Sequence, residues 1–303
     1  MSYKTDLSVN LCGVTLKNPI ITVSGTCGYG DDYIDYYSPA ELGAICVKAV
    51  TLSPREGNPP PRVCETPAGM LNAIGLQNPG VEYFIEHELP RLKAMGATVI
   101  ANVAGATVDE YAAVAEILSH SDVDLLELNI SCPNVKHGGV AFGVDPVAVD
   151  AVTSAVKKKC GEKPLFVKLS PNVSDITVTA RAAEAAGADG LSLINTLLGM
   201  RFDLKTKRPI LANGTGGLSG PAIFPVALRM IYQVRQISDI PIIGMGGVAS
   251  ARDAAEMMIA GANAIGIGTA MFTHPALPKQ IIADLDDYCA ECGYKSVSDI
   301  AKK

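Results

Sequence analysis

Short, almost unbroken apolar runs recur along the chain, and between them apolar positions return every three or four residues. The runs are Pro19–Ser24 (PIITVS), Ile45–Val50 (ICVKAV), Thr98–Val103 (TVIANV), Leu125–Ser131 (LLELNIS), Pro164–Ser170 (PLFVKLS), Gly190–Thr196 (GLSLINT), Ile240–Gly246 (IPIIGMG) and Ala264–Thr269 (AIGIGT). Runs this short and this continuously apolar predict strands covered on both faces. Helical spacing covers Val108–His120, Pro146–Lys159, Asp175–Ala186, Ala222–Ile237 and Arg252–Ala260, and Gly96, Gly161, Gly187 and Gly261 stand where helices should stop. Eight strands alternating with helices predict an α/β protein built as a (β/α)8 barrel, with residues 1–303 forming a single domain. A doubly wound sheet would usually stop at fewer strands. Asp6–Lys17 (DLSVNLCGVTLK) alternates around a glycine and predicts a β-hairpin that plugs the N-terminal mouth of the barrel. Leu52–Gly80 is a long Pro/Gly-rich insert after the second strand, of the kind that often carries function.

Composition narrows the class. The chain has 303 residues, 48% hydrophobic and 18% charged, which supports a large core and excludes a disordered protein. Lys plus Arg number 25 against 31 Asp plus Glu, a net charge of −6, so neither nucleic acid nor an anionic membrane surface is an expected partner. No apolar run reaches the ~18 residues of a membrane span. MSYKTDLSVN lacks the apolar core of a secretory leader, so the eight cysteines are expected to be reduced thiols and the location cytoplasmic.

In such a barrel the active site lies at the C-terminal ends of the strands. The polar residues there are Ser24, Lys48, Asn102, Asn129, Ser131, Cys132, Asn134, Lys168, Ser170, Asn195 and Thr196, joined by Asn72 and Asn78 of the insert. The set holds two lysines, several asparagines and one cysteine, with no acid pair and no histidine. Lys48 and Lys168 each need either a buried carboxylate or an anionic ligand, and strand ends favour the ligand. Converging asparagines offer one acceptor and two donors each, which suits alternating C=O and N–H groups such as those of a pyrimidine ring. Turn formation is the ordinary alternative, credible for Asn134 after Pro133 and weak for Asn129 inside LELNIS.

Gly246–Gly247 and Gly268–Thr269 each precede a helix, an arrangement whose backbone amides cradle a phosphate. Gly244-x-Gly246-x-x-Ala249 matches a loose dinucleotide fingerprint, but the next strand ends in Gly-Thr instead of the acid that motif requires. A monophosphate grip, for flavin mononucleotide (FMN) or a phosphorylated substrate, is the better reading. No metal site is expected: Cys289 and Cys292 form a lone C-x-x-C, read as two thiols on a surface helix, and Cys46 reads as a small buried residue. Cys132 differs, because it follows a strand end and opens a Gly-rich loop. It is a candidate nucleophile or base, and no histidine is placed to activate it, which leaves proton transfer open.

Asn129–Gly139 (NISCPNVKHGG) resembles the catalytic loop of class 1 dihydroorotate dehydrogenases, and Asn72–Asn78 (NAIGLQN) resembles their substrate loop. LINT at Leu193–Thr196, Lys168 and the paired glycine motifs follow in family order, so the likeness spans essentially the whole chain. A cysteine at 132 marks class 1, since the membrane-associated class 2 carries serine. NVKHGG is most like the NAD-linked class 1B catalytic subunit. Ala49 stands where some relatives carry threonine, and Ile74 where class 1A relatives often carry methionine.

The resemblance implies oxidation of (S)-dihydroorotate to orotate in pyrimidine biosynthesis. Cys132 would remove the C5 proton and the C6 hydride would pass to FMN. Lys48, Asn72, Ala73, Ile74, Gly75, Leu76, Asn129, Asn134, Asn195 and Thr196 would bind the substrate. Ser24, Lys48, Ala49, Asn102, Asn129, Lys168, Ile194, Gly220, Gly246, Gly247, Gly268 and Thr269 would bind one FMN per chain, with Lys168 beside N1 and O2 of the ring. The partner it implies is an electron-transfer subunit with FAD and a [2Fe–2S] cluster, two of each chain assembling to pass electrons to NAD+. The alternatives are a fumarate-linked class 1A enzyme and a pyrimidine reductase like dihydropyrimidine dehydrogenase.

Overall fold

Covered on both faces, the eight apolar runs close into a parallel barrel in the computed structural model, which describes residues 3–131 and 140–301. In chain order the strands are Ile20–Thr22, Ala44–Cys46, Val99–Val103, Leu125–Asn129, Leu165–Lys168, Gly190–Leu193, Ile242–Met245 and Ala264–Ile267, each paired with its sequence neighbours and the eighth with the first. Seven of the eight hydrogen-bonded strands stop short of their apolar runs at the C-terminal end, and the third ends with its run at Val103. Lys48, Asn195 and Thr196 therefore stand just beyond the barrel wall and line the cavity at that end, while Ser131 and Ser170 at the same level are fully buried.

The helices Val108–Ser119, Pro146–Lys157, Ile176–Ala185, Phe224–Arg235 and Ala251–Ala260 end within two residues of the periodic segments. Thr107, Asp145, Asp175 and Ser250 cap four of them, each side chain accepting from a first-turn amide. The first unit departs from the pattern. After the first strand two 3-10 turns, Asp31–Tyr33 and Pro39–Glu41, replace a regular helix.

The hairpin forms from Val9–Leu11 and Val14–Leu16, turning at Cys12 and Gly13 with φ of 55° and 93°. Both turn residues being left-handed is the twist that matches paired strands. Leu11 and Leu16 are fully buried, and the Cys12 thiol donates to the carbonyl of Asp189, just before the sixth strand, at 3.2 Å. The hairpin thus closes the N-terminal mouth, as expected.

The insert is not simply a loop. Val63–Thr66 and Gly69–Asn72 pair with each other, and with Leu197–Gly199 and Gly216–Ser219 they make a four-stranded antiparallel sheet. Glycine lets these strands approach closely: a Cβ at Gly69 would lie 2.0 Å from the Ser219 carbonyl oxygen, and one at Gly217 would lie 2.0 Å from Thr196 Oγ1. Cys289 also corrects its reading. It is buried in the helix Leu277–Glu291, while Cys292 is exposed at the helix end. Among the described residues no helix is long and apolar enough to cross a membrane, and no group of His, Cys, Asp and Glu could hold a metal ion.

Candidate active site

A pocket opens at the C-terminal end of the barrel and is roofed by the antiparallel sheet. Its wall brings together, from nine loop and strand-end segments, Ser24, Lys48, Ala49, Asn72, Ile74, Gly75, Leu76, Asn129, Lys168, Ile194, Asn195, Thr196, Gly220, Gly246, Gly247, Gly268 and Thr269. Two expected residues do not reach this wall. Ala73 is buried beneath it against Leu71 and Leu211, and Asn102 lies fully buried in the barrel. Cys132 and Asn134 lie outside the described residues.

The floor is a chain of side-chain amides. Asn102 Nδ2 donates to Glu127 at 2.6 Å, and Asn129 Nδ2 donates to Asn102 Oδ1 at 3.2 Å. Asn195 Nδ2 donates to Ser131 Oγ at 2.8 Å and reaches Asn129 Oδ1 at 3.5 Å. Asn195 Oδ1 accepts from the Thr196 amide at 2.8 Å. Each amide is thus pre-oriented before a ligand arrives, which lowers the ordering cost of binding.

The lysines divide. Lys168 meets the carboxylate of Glu127 at 3.3 Å, so the carboxylate reading holds for it, and its side chain also lines the pocket. Glu127 is the functional candidate that the sequence reading missed. Its signal was a charged residue at an inward position of LLELNIS, where a fully covered strand carries no charge without a partner. Lys48 is half-buried, and its ammonium passes over Gly25, where a Cβ would stand 3.7 Å from Nζ.

Two asparagines act as fasteners. Asn78 holds the insert against the second strand's extension: Nδ2 donates to the Leu76 carbonyl at 2.7 Å and Thr51 Oγ1 at 2.9 Å, while Oδ1 accepts from Gly80 at 2.9 Å. This keeps Leu76 at the pocket wall with φ of 60°. Asn172, also missed, donates to the Thr196 carbonyl at 3.0 Å and accepts from Leu198 at 2.8 Å, tying the loops after the fifth and sixth strands.

At the far end the glycines form a cradle. Gly246 and Gly247 have φ of 122° and 83°, and a Cβ on Gly247 would lie 2.8 Å from the Gly220 carbonyl oxygen and from Phe224. The described backbone hydrogen bonds leave the amides of Gly247, Val248, Gly268 and Thr269 unused. Thr269 Oγ1 donates to Ser219 Oγ at 2.8 Å, joining the cradle to the roof. Gly246–Gly247 precedes the helix Ala251–Ala260, as expected, whereas Gly268–Thr269 opens only the short 3-10 turn Thr269–Phe272; free amides at these glycine-lined turns fit the phosphate of FMN. The apolar stretch of Ala49, Ile194, Met245 and Val248 between cradle and amides fits a flat ring.

Burial silences two thiols near the floor. It pushes Cys27 up to about 11, and it raises Cys46 with help from the Glu127 carboxylate. Both stay protonated at neutral pH and are poor bases.

Comparison with known proteins matches this arrangement. A family profile described as dihydroorotate dehydrogenase covers residues 6–288. A Listeria monocytogenes protein named dihydroorotate dehydrogenase B (NAD(+)), catalytic subunit, is 57% identical over 298 residues, covering 98% of each chain. Proteins with the same name from Oceanobacillus iheyensis and Enterococcus faecalis are 54% and 56% identical, over 98% and 99% of this chain and 98% and 96% of theirs. A barrel with a glycine cradle and an amide-lined pocket, matched almost end to end at this identity, belongs to the dihydroorotate dehydrogenase family.

Proposed function

We propose that this chain oxidises (S)-dihydroorotate to orotate as the FMN-bearing catalytic subunit of an NAD+-linked enzyme, acting as one barrel domain in the cytoplasm. The observation that carries the reading is one pocket with a glycine cradle at one end and a cation among oriented amides at the other. Dihydroorotate is a carboxylate on a cyclic ureide. Lys48 takes the carboxylate. Asn72, Asn129, Asn134, Asn195 and Thr196, with the backbone of Gly75 and Leu76, take the ring carbonyls and N–H groups. Cys132 accepts the C5 proton. Lys168 serves the flavin edge, and Gly246, Gly247, Gly268 and Thr269 hold its phosphate. When bound, FMN supplies the acceptor for the hydride that leaves C6.

Gly247→Ala should weaken FMN binding roughly tenfold, because the new Cβ needs space held by the Gly220 carbonyl and adopts a left-handed backbone costing about 1–2 kcal/mol. Titration of apoprotein with FMN measures it, and unchanged affinity would move the phosphate elsewhere.

Among the described residues nothing offers NAD+ a dinucleotide fold or a cluster its cysteine ligands. The relatives' name, catalytic subunit, supports a separate electron-transfer chain. We assign FAD and [2Fe–2S] to that chain, in an assembly of two catalytic and two electron-transfer subunits. The isolated chain should therefore reduce dyes with dihydroorotate but form no NADH until the partner is added. NADH without a partner would overturn the division of labour. Rapid reoxidation by fumarate would favour the class 1A reading, and preference for dihydrouracil would favour a pyrimidine reductase.

A further inference from the structure

Glu127 has no part in the reaction proposed above, yet it sits at the head of every polar chain in the pocket floor. It lies on the fourth strand with 1% of its surface exposed. Its Oε1 accepts from Asn102 Nδ2 at 2.6 Å, Lys168 Nζ at 3.3 Å and Cys46 Sγ at 3.4 Å. Barrel register produces the convergence: Asn102 pairs with Glu127 across the third and fourth strands, and Asn129 pairs with Lys168 across the fourth and fifth.

Two consequences follow from a carboxylate being acceptor-only. First, Asn102 must present its N–H to Glu127 and turn Oδ1 toward Asn129. Asn129 then donates to Asn102 and offers Oδ1 to Asn195, so one carboxylate sets the sense of the whole amide chain. Second, the Lys168 ammonium is drawn to the barrel side of the pocket wall. One of its three N–H donors is used there, while the side chain still lines the pocket.

We propose that Glu127 is a positioning residue that holds Lys168 against the flavin site and partly offsets its charge, so that it sets how strongly the site favours reduced over oxidised FMN. The inference rests on the FMN reading above. A negative charge behind the cation weakens its hold on the extra electron density of the reduced ring. Glu127→Gln keeps the shape and removes that charge.

The test is the midpoint potential of bound FMN, measured in wild type, Glu127→Gln, Lys168→Met and the double variant, with FMN affinity measured separately on each apoprotein. Glu127→Gln should favour the reduced flavin at least tenfold, a rise of about 30 mV for a two-electron couple. In the Lys168→Met background the same change should shift the ratio less than about threefold, because the cation through which Glu127 acts on the flavin is gone. An unchanged potential in Glu127→Gln overturns the proposal. An equal shift in both backgrounds overturns it too, since Glu127 would then act without Lys168. If Glu127→Gln does not fold, the double variant, which leaves no unpaired charge, should fold and bind FMN, and its failure to do so would count against the pair as the cause. Wild-type protein that binds no FMN would refute the functional reading itself, a result seen before any variant is made.

Discussion

Cys132→Ala should retain FMN and bind orotate while losing roughly 10²–10⁴-fold in the rate of flavin reduction by dihydroorotate, the cost of removing a general base. The pocket wall explains why so much depends on one thiol. Its described polar groups are two lysines, amides and hydroxyls, with no carboxylate, imidazole or thiol among them. The other thiols do not serve. Cys27 and Cys46 are held protonated by burial, Cys64 lies in the roof sheet donating to the Glu65 carbonyl, Cys12, Cys160 and Cys289 are likewise raised by burial, and Cys292 is exposed at the end of the helix Leu277–Glu291, outside the pocket wall. Cys132 follows Ser131 directly, and Ser131 Oγ accepts from Asn195 at 2.8 Å at the pocket floor. Cys132→Ser should keep part of the activity and gain with rising pH, because a hydroxyl is a poorer base near neutrality. Near-normal reduction by the alanine variant would remove Cys132 from the role.

The second large effect belongs to Lys48. Lys48→Ala should weaken orotate by roughly ten- to a hundredfold, since a charge-assisted hydrogen bond contributes about 1.5–3 kcal/mol. An uncharged pyrimidine such as uracil should lose far less. Lys48 stands two residues past the second strand, with its ammonium beside Gly25. Equal losses for both ligands would mean that Lys48 serves the flavin alone. Binding titrations against the same FMN-loaded protein separate the cases.

The barrel was legible because eight continuously apolar runs have few other solutions, and helix ends were legible because left-handed Gly96, Gly161, Gly187 and Gly261 mark them. The roof sheet was not. Its strands are three or four residues long, burial alternates along only two of the four, and it pairs Asn72 with Gly217, segments distant in sequence that only the closed barrel brings together. The site was legible where chemistry at strand ends is unusual, as with Lys48, Asn129 and the glycine pairs. Glu127 was hidden because a charge inside an apolar run reads first as noise, and its partners Asn102 and Lys168 come from other strands. Asn78 and Asn172 look alike in sequence to asparagines that face the pocket, and only the hydrogen bonds they make show them as fasteners.

The most direct test of the account is anaerobic mixing of the purified, FMN-loaded chain with dihydroorotate while the flavin absorbance is followed. Prompt bleaching, with one orotate formed per flavin and no bleaching by dihydrouracil at the same concentration, is the expected result. A flavin that stays oxidised under dihydroorotate yet bleaches with dithionite would contradict it.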